Sequence, residues 1–223
     1  MFREYEKTFR IVTPTLSFKT KRCLSEDDQE RLFTGKVSVF EKVDGANAGI
    51  VRGNGDKWIL QKRRGLADTS AHPQYSFFWE WAKANNDKIL SIPNGWTVYG
   101  ELLWAQHHLS YDLLPSYFMV FDVWDGGRYH EDSIGVAKKL GFQHVPLLTV
   151  EMLKPEDLEK FLREKSPFSS TDLREGVVVK NYRKQMRGKL VNPKFVKELE
   201  EDDHWMKGPL KKNKLAPGVD VFA

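Results

Sequence analysis

The stretch Phe40-Glu41-Lys42-Val43-Asp44-Gly45-Ala46-Asn47 decides how the chain is read. Alternation along it places Val37, Val39 and Val43 on one strand face and Phe40 and Lys42 on the other. Asp44-Gly45 then supplies the residues of a tight turn into a second strand. Lys42 therefore ends a strand beside a turn and faces away from the valines. An amine fixed there by rigid backbone becomes a nucleophile once it loses its proton, and desolvation with neighbouring cations is the usual means. A solvent-facing strand lysine before a hairpin describes the same residues, and Lys-x-Asp-Gly alone is too short to choose between them.

Four stretches further along bear on that choice. Gln61-Lys62-Arg63-Arg64-Gly65 closes another strand and concentrates charge suited to gripping phosphate. In Thr97-Val98-Tyr99-Gly100-Glu101-Leu102, Glu101 follows a glycine that permits close approach to the backbone. Tyr117-Phe118-Met119-Val120-Phe121-Asp122-Val123 alternates as a strand whose aromatics offer a stacking wall for a purine. Arg174-Glu175-Gly176-Val177-Val178-Val179-Lys180 opens a strand with a carboxylate and ends it on a lysine, and Gly188-Lys189-Leu190-Val191-Asn192-Pro193-Lys194-Phe195 follows. Taken one at a time, each has an ordinary structural explanation: a turn at Glu175-Gly176, core at Phe121, surface at Lys189.

Around these stretches the pattern predicts strands at 36–43, 46–52, 57–62, 96–102, 117–124, 145–150, 175–181 and 188–191. It predicts helices from the Ser25 cap to Leu32, over 73–84, 132–140 and 155–165, with a further short one after Pro193 carrying Phe195, Val196 and Leu199 inward. Helices interrupt the strands irregularly, so the expected class is α+β, antiparallel sheets flanked by helices, rather than a regular βαβ alternation. Phe77, Phe78, Trp79 and Trp81 read as core, His107-His108 as a solvent-facing pair, and Glu200-Glu201-Asp202-Asp203 as a solvated helix end. No glycine-rich loop supports Walker-type or dinucleotide-type binding.

Composition narrows the setting. The 223 residues suit one large domain able to bury its own core. Cys23 is the single cysteine, which excludes an internal disulfide and a multi-cysteine metal site and favours a reducing, cytoplasmic compartment. No apolar run is long enough to cross a membrane, and the charged start does not resemble a signal peptide. Of the net charge of +4, Arg183–Lys214 alone contributes +5, from ten Lys or Arg against five Asp or Glu. Such a basic stretch is expected of a chain that handles phosphates, although a solvated face has the same composition.

Together and in order, Lys42-x-Asp44-Gly45, Gly100-Glu101, Phe118-x-x-Phe121-Asp122, Glu175-Gly176-x-Val178-x-Lys180 and Lys189 resemble the motifs of the covalent nucleotidyltransferases, the superfamily of ATP-dependent RNA and DNA ligases and GTP-dependent capping enzymes. The Glu41-Lys42-x-x-Gly45-x-Asn47 opening, Lys62-Arg63-x-Gly65 and Asn192-x-Lys194-Phe195 look most like the phage-type, nick-sealing RNA ligases. The resemblance spans roughly residues 36–197. It implies a ligase adenylation-domain fold over 1–205 and a short basic tail over 206–223, too short for an oligonucleotide-binding barrel.

The resemblance also implies roles. Lys42 would attack the α-phosphorus of ATP and carry AMP as a phosphoramidate, with Lys180 and Lys189 on the α-phosphate. Glu101 would contact the ribose, Phe121 would stack on adenine, and Glu41 would lie where the base edge is read. Gly45 belongs to the nucleophile motif, and Asn47 and Arg63 match positions that handle sugar and phosphate. Glu175, with Asp44 beside it, resembles the carboxylates that organise hydrated Mg²⁺ or Mn²⁺. The expected partner is RNA with 5′-phosphate and 3′-hydroxyl ends, as in a nicked duplex. One departure stands out: Val191 occupies the place where the family's last motif often carries a second lysine. A small DNA ligase, a GTP-dependent capping-type transferase and a non-catalytic RNA-binding module on a ligase core are the alternatives.

Overall fold

The computed structural model describes residues 2–16, 22–195 and 209–223. They form two compact units, each built on its own sheet. One unit comprises Met1–Glu6, Asp44–His144 and Leu210–Ala223, and the other Lys7–Val43 and Val145–Pro209. The chain passes from one unit to the other between Val43 and Asp44, inside the stretch quoted at the outset.

The unit containing Lys42 holds a five-stranded sheet. Its strands are β1 (Phe9–Arg10), β2 (Lys36–Lys42), β7 (Leu147–Met152), β8 (Gly176–Asn181) and β9 (Met186–Val191), in the order β1-β9-β8-β2-β7. All pairings are antiparallel except β1 with β9. Period-two alternation sends Val37, Val39, Val177, Val179, Leu190 and Ile11 to one face. There they pack with Leu32 of α1 (Glu26–Leu32) and with Leu158, Phe161 and Leu162. Helix α1 starts as its sequence prescribes, the Ser25 hydroxyl accepting the Asp28 N–H at 3.1 Å. The predicted helix at 155–165 is instead a 3₁₀ helix, Pro155–Arg163. Its apolar side supplies the three core residues just named.

The other unit carries β3 (Ala46–Arg52), β4 (Trp58–Lys62), β5 (Thr97–Leu102) and β6 (Phe118–Trp124) in the antiparallel order β4-β3-β5-β6. Helix α2 (Pro73–Ala84), with proline in its first turn, lays Phe78 and Trp81 onto this sheet's core as expected. Phe77 and Trp79 pack at its margin. Helices α3 (Asn86–Leu90) and α4 (Ser133–Lys139) complete the unit, α4 capped by Asp132, which accepts the Gly135 N–H. The opposite sheet face receives the N-terminal segment: Gln61 and Arg3 exchange hydrogen bonds at 3.2 and 2.6 Å, and Tyr99 donates to the Arg3 carbonyl.

The C-terminal residues, expected as a basic tail, are docked. Asn213 is 2% exposed, and isolated bridges pair Ala105 with Lys212 and Leu114 with Leu215. The predicted helix after Pro193 runs past Phe195 into residues outside the described ones. The acidic run at 200–203 and the expected boundary between 205 and 206 lie there as well. No helix among the described residues is long and apolar enough to cross a membrane.

Candidate active site

Strand register places the lysines. Lys42 pairs with Gly176, Phe40 with Val178 and Ser38 with Lys180 across β2 and β8. Val178 in turn pairs with Lys189, and Lys180 with Arg187, across β8 and β9. Residues directly paired across a sheet share a face. Lys42, Lys180 and Lys189 therefore stand on one face, opposite the valine core. Lys42 donates to Glu175 Oε2 at 2.5 Å; the Lys42 side chain is 21% exposed and that of Glu175 2%. Lys180, 3% exposed, has its ammonium 4.6 Å from the centroid of Phe40, so a ring face supports part of its charge. Gly176 leaves no room for a side chain between β8 and β9: a Cβ there would come within 2.2 Å of the Leu190 carbonyl oxygen. That close approach holds β8 beside β9 directly after Glu175.

Glu41 points the other way. One residue from Lys42, its side chain reaches the core side, accepting from Ser166 Oγ at 2.5 Å and from Arg174 Nε at 3.1 Å. Burial raises the Glu41 carboxyl above the usual carboxylate range, against the opposing pull of Ser166 and Arg174. Arg174 also reaches Glu164 Oε2 at 2.5 Å. The Glu41 side chain is thus committed to a buried network on the face away from Lys42. Ser166 and Arg174 carry no motif signal; only their tertiary pairing with Glu41 reveals them.

The remaining candidates lie in the other unit. Asp44 Oδ2 accepts the N–H groups of His108 at 2.7 Å and Leu109 at 2.8 Å, while the Asp44 N–H donates to the Tyr111 hydroxyl at 2.8 Å. Asp44, expected beside a metal, is thereby engaged in fixing the turn and the loop that follows Glu101. His108, expected to face solvent, is packed with its Nδ1 3.7 Å from Asp44 Oδ1. Asn213 braces the same loop, accepting the Tyr111 N–H and donating to the Leu103 carbonyl at 2.8 Å.

Gly45 donates to Glu101 Oε1 at 3.2 Å, and a Cβ at Gly45 would stand 2.5 Å from the Leu102 carbonyl oxygen. Asn47 and Glu101 are register partners on β3 and β5 and so share a face. The Asn47 Oδ1 is buried without a hydrogen-bond partner. A buried, unsatisfied acceptor beside a carboxylate suits ligand hydroxyls. Phe121 sits at the β5–β6 register shift, where an extra residue re-aims a side chain, with its ring 5.0 Å from that of Tyr5. Arg63 is exposed at the β4 turn, next to Gly65 in the left-handed region at φ 92°.

Among the described residues, no three His, Cys, Asp or Glu side chains converge as a metal cage. Mg²⁺ and similar hard cations usually keep several waters and use one or two carboxylates together with substrate phosphates. Glu175, paired with Lys42 at the end of the face that also carries Lys180 and Lys189, fits that water-shelled mode.

The RNA ligase family profile matches residues 35–196. Among solved structures, a Naegleria gruberi RNA ligase mutant with ATP and Mn is similar at a TM-score of 0.65 and 18% identity, covering 79% of this chain and 55% of that one. Naegleria gruberi RNA ligase with PPi matches at 0.62 and 18% identity, covering 91% and 64%. A mutant of the same ligase with AMP and Mn matches at 0.60 and 18%, covering 79% and 55%. At that identity the likeness shows the adenylation-domain fold, and the chain spans less than two thirds of the length of these ligases. No curated protein sequence matches. A family match over 35–196 encloses every candidate residue from Glu41 to Lys189, and on it the chain belongs to the RNA ligase family of covalent nucleotidyltransferases.

Proposed function

We propose that the protein is an ATP-dependent RNA ligase that joins 5′-phosphate to 3′-hydroxyl ends through a lysyl-AMP intermediate on Lys42. The observation that carries this reading is the placement of Lys42 at the end of β2, paired with buried Glu175 on the face that holds Lys180 and Lys189. In this ion pair the Lys42 ammonium is held ready but not reactive. Its proton must pass to solvent, which reaches the partly exposed side chain, and the amine must separate from Glu175 before it attacks. The neutral amine then gives its lone pair to the α-phosphorus. The N–P bond forms as the bond from that phosphorus to the oxygen bridging to the β-phosphorus breaks. The bond's electron pair departs on pyrophosphate. Lys180 and Lys189 offset the charge gathered on the phosphoryl oxygens, the main requirement of such a transfer.

Mg²⁺ or Mn²⁺ held by Glu175 and the nucleotide phosphates would neutralise further charge. Asn47 and Glu101 are assigned to the ribose, Phe121 to the adenine ring, Arg63 to phosphate and Gly45 to the turn behind the nucleophile. Asp44 is assigned to shaping that turn. The AMP then passes to a 5′-phosphate end, and a 3′-hydroxyl displaces it to form the phosphodiester; a nicked duplex presents both ends together.

Incubation with α-labelled ATP and Mg²⁺ should label the protein covalently, and Lys42→Ala should abolish the label. Absence of label on the parent protein at neutral and alkaline pH overturns the proposal. Label from GTP in place of ATP would identify a capping-type transferase instead. RNA and DNA nicks compared in the sealing assay separate an RNA ligase from a DNA ligase.

A further inference from the structure

We infer that Arg10, with Arg187 beside it, holds the pyrophosphate leaving group of the Lys42 reaction, an inference that rests on the adenylylation reading above. Arg10 lies outside the family-matched residues 35–196, on the two-residue strand β1. That strand pairs in parallel with β9, and Arg10 is the register partner of Lys189. Its face follows from its neighbours. Phe9 pairs with Gly188, and a Cβ on Gly188 would meet Ile11 at 2.7 Å and Leu24 at 3.0 Å, both on the apolar core side. Arg10 and Lys189 therefore stand on the opposite face, with Lys42. Arg187, two residues before Lys189 on β9, shares that face and pairs with Lys180.

The cations are ordered across the sheet. Moving from Lys42 on β2 one meets Lys180 on β8, then Lys189 and Arg187 on β9, then Arg10 on β1. With strands about 4.8 Å apart, β9 lies roughly 10 Å and β1 roughly 14 Å from β2. Phosphoryl transfer places the attacking and departing atoms roughly in line on opposite sides of phosphorus. With Lys42 attacking from the β2 side, the departing diphosphate is directed toward β9 and β1. Two guanidinium groups stand there. A guanidinium can take phosphate oxygens in pairs. Arg10 is 5% exposed, so its charge acts where solvent screens it little. The pair also supplies positive charge on the β9 side that Val191 does not.

The test follows the reverse reaction, in which pyrophosphate removes AMP from labelled protein. Arg10→Gln is expected to raise the pyrophosphate concentration for half-maximal release at least tenfold. Arg10→Lys, which keeps the charge and loses the fork, should raise it two- to fivefold. Calorimetric titration of each protein with pyrophosphate should show the same order of weakening. A half-saturating concentration within twofold of the parent for Arg10→Gln overturns the inference. So does a loss confined to RNA binding, which would assign the row to the nucleic-acid backbone. If circular dichroism shows Arg10→Gln unfolded, Arg187→Gln carries the test with the same expected tenfold change. A parent protein that never takes up AMP would sink the adenylylation reading, whereas the calorimetric comparison would still decide whether these arginines bind pyrophosphate.

Discussion

Replacing Arg174 by methionine would leave the Glu41 carboxylate, whose side chain is fully buried, without its cationic partner. The Ser166 hydroxyl would remain as a donor, but a single neutral hydrogen bond does not compensate a buried charge. Removing one member of a buried ion pair costs about 3–5 kcal/mol. Glu164 adds little to this sum, because its side chain is 55% exposed and stays solvated after the change. For a chain of this size each kcal/mol shifts the melting temperature by about 2–4 °C, so a fall of roughly 6–20 °C is expected. The double variant Glu41→Gln/Arg174→Met removes both charges and keeps an acceptor for Ser166. It should recover to within about 1–2 kcal/mol of the parent. The pH dependence has a defined sign. Burial raises the Glu41 pKa above its ordinary 4.5, so the stability linked to this group is fully present below 4.5 and falls as pH rises through the raised value. Below 4.5 the lost partner matters least; losing Arg174 raises the carboxyl further, so the deficit of Arg174→Met should open as pH rises through the parent's raised value. Thermal unfolding of the four proteins of the cycle, from pH 4 to 8, measures all of this. An Arg174→Met variant within about 1 kcal/mol of the parent at pH 8, or a double variant less stable than the single, would refute the reasoning.

Gly45→Ala forces a Cβ to within 2.5 Å of the Leu102 carbonyl oxygen, an overpacking cost of about 1–3 kcal/mol; ATP-labelling rate together with urea unfolding should show both lower stability and slower label uptake. Asn213→Ala leaves the buried Tyr111 N–H and the Leu103 carbonyl without their partners and should cost about 1–3 kcal/mol by the same unfolding measurement. His72 caps α2 only while neutral, its Nδ1 accepting the Gln74 N–H, and burial lowers its pKa from 6.5. That contribution is present above 6.5 and lost as pH falls through the lowered value, whereas His72→Asn should keep the cap and remove this part of the pH dependence of the melting temperature. Lys42→Arg should keep the ion pair with Glu175 and lose the covalent label, which intact-mass spectrometry after incubation with ATP would show.

The alternation of valines with Phe40 and Lys42 needed no partner strand to be legible, because side-chain direction in a strand is a local property. For the same reason β2, β3, β5, β6, β8 and helix α2 lie within a residue or so of their predicted bounds. Lys42, Lys180 and Lys189 could be named from their order in the linear chain, but that they share a face could not, since it follows from the pairing of β2, β8 and β9. Strand β1 was not: two residues carry no period, and only pairing with β9 makes Phe9–Arg10 a strand. The 3₁₀ form of Pro155–Arg163 was hidden for a similar reason, as Pro and an amphipathic stretch begin either kind of helix.

What the chain's order alone determined is the set of groups: a lysine at a strand end, a carboxylate opening another strand, and further lysines at intervals after it. What only tertiary structure decided is how those groups are employed. Adjacent residues Glu41 and Lys42 were given neighbouring roles by sequence, yet the pleat turns one into a buried pair with Arg174 and the other toward Glu175. Asp44 is held by the amides of His108 and Leu109, more than sixty residues away, and Arg10 meets Lys189 across almost the whole chain. A local pattern fixes which way a side chain points. The partner it meets there depends on strand order and loop closure, and these are set by burying apolar surface over the whole unit.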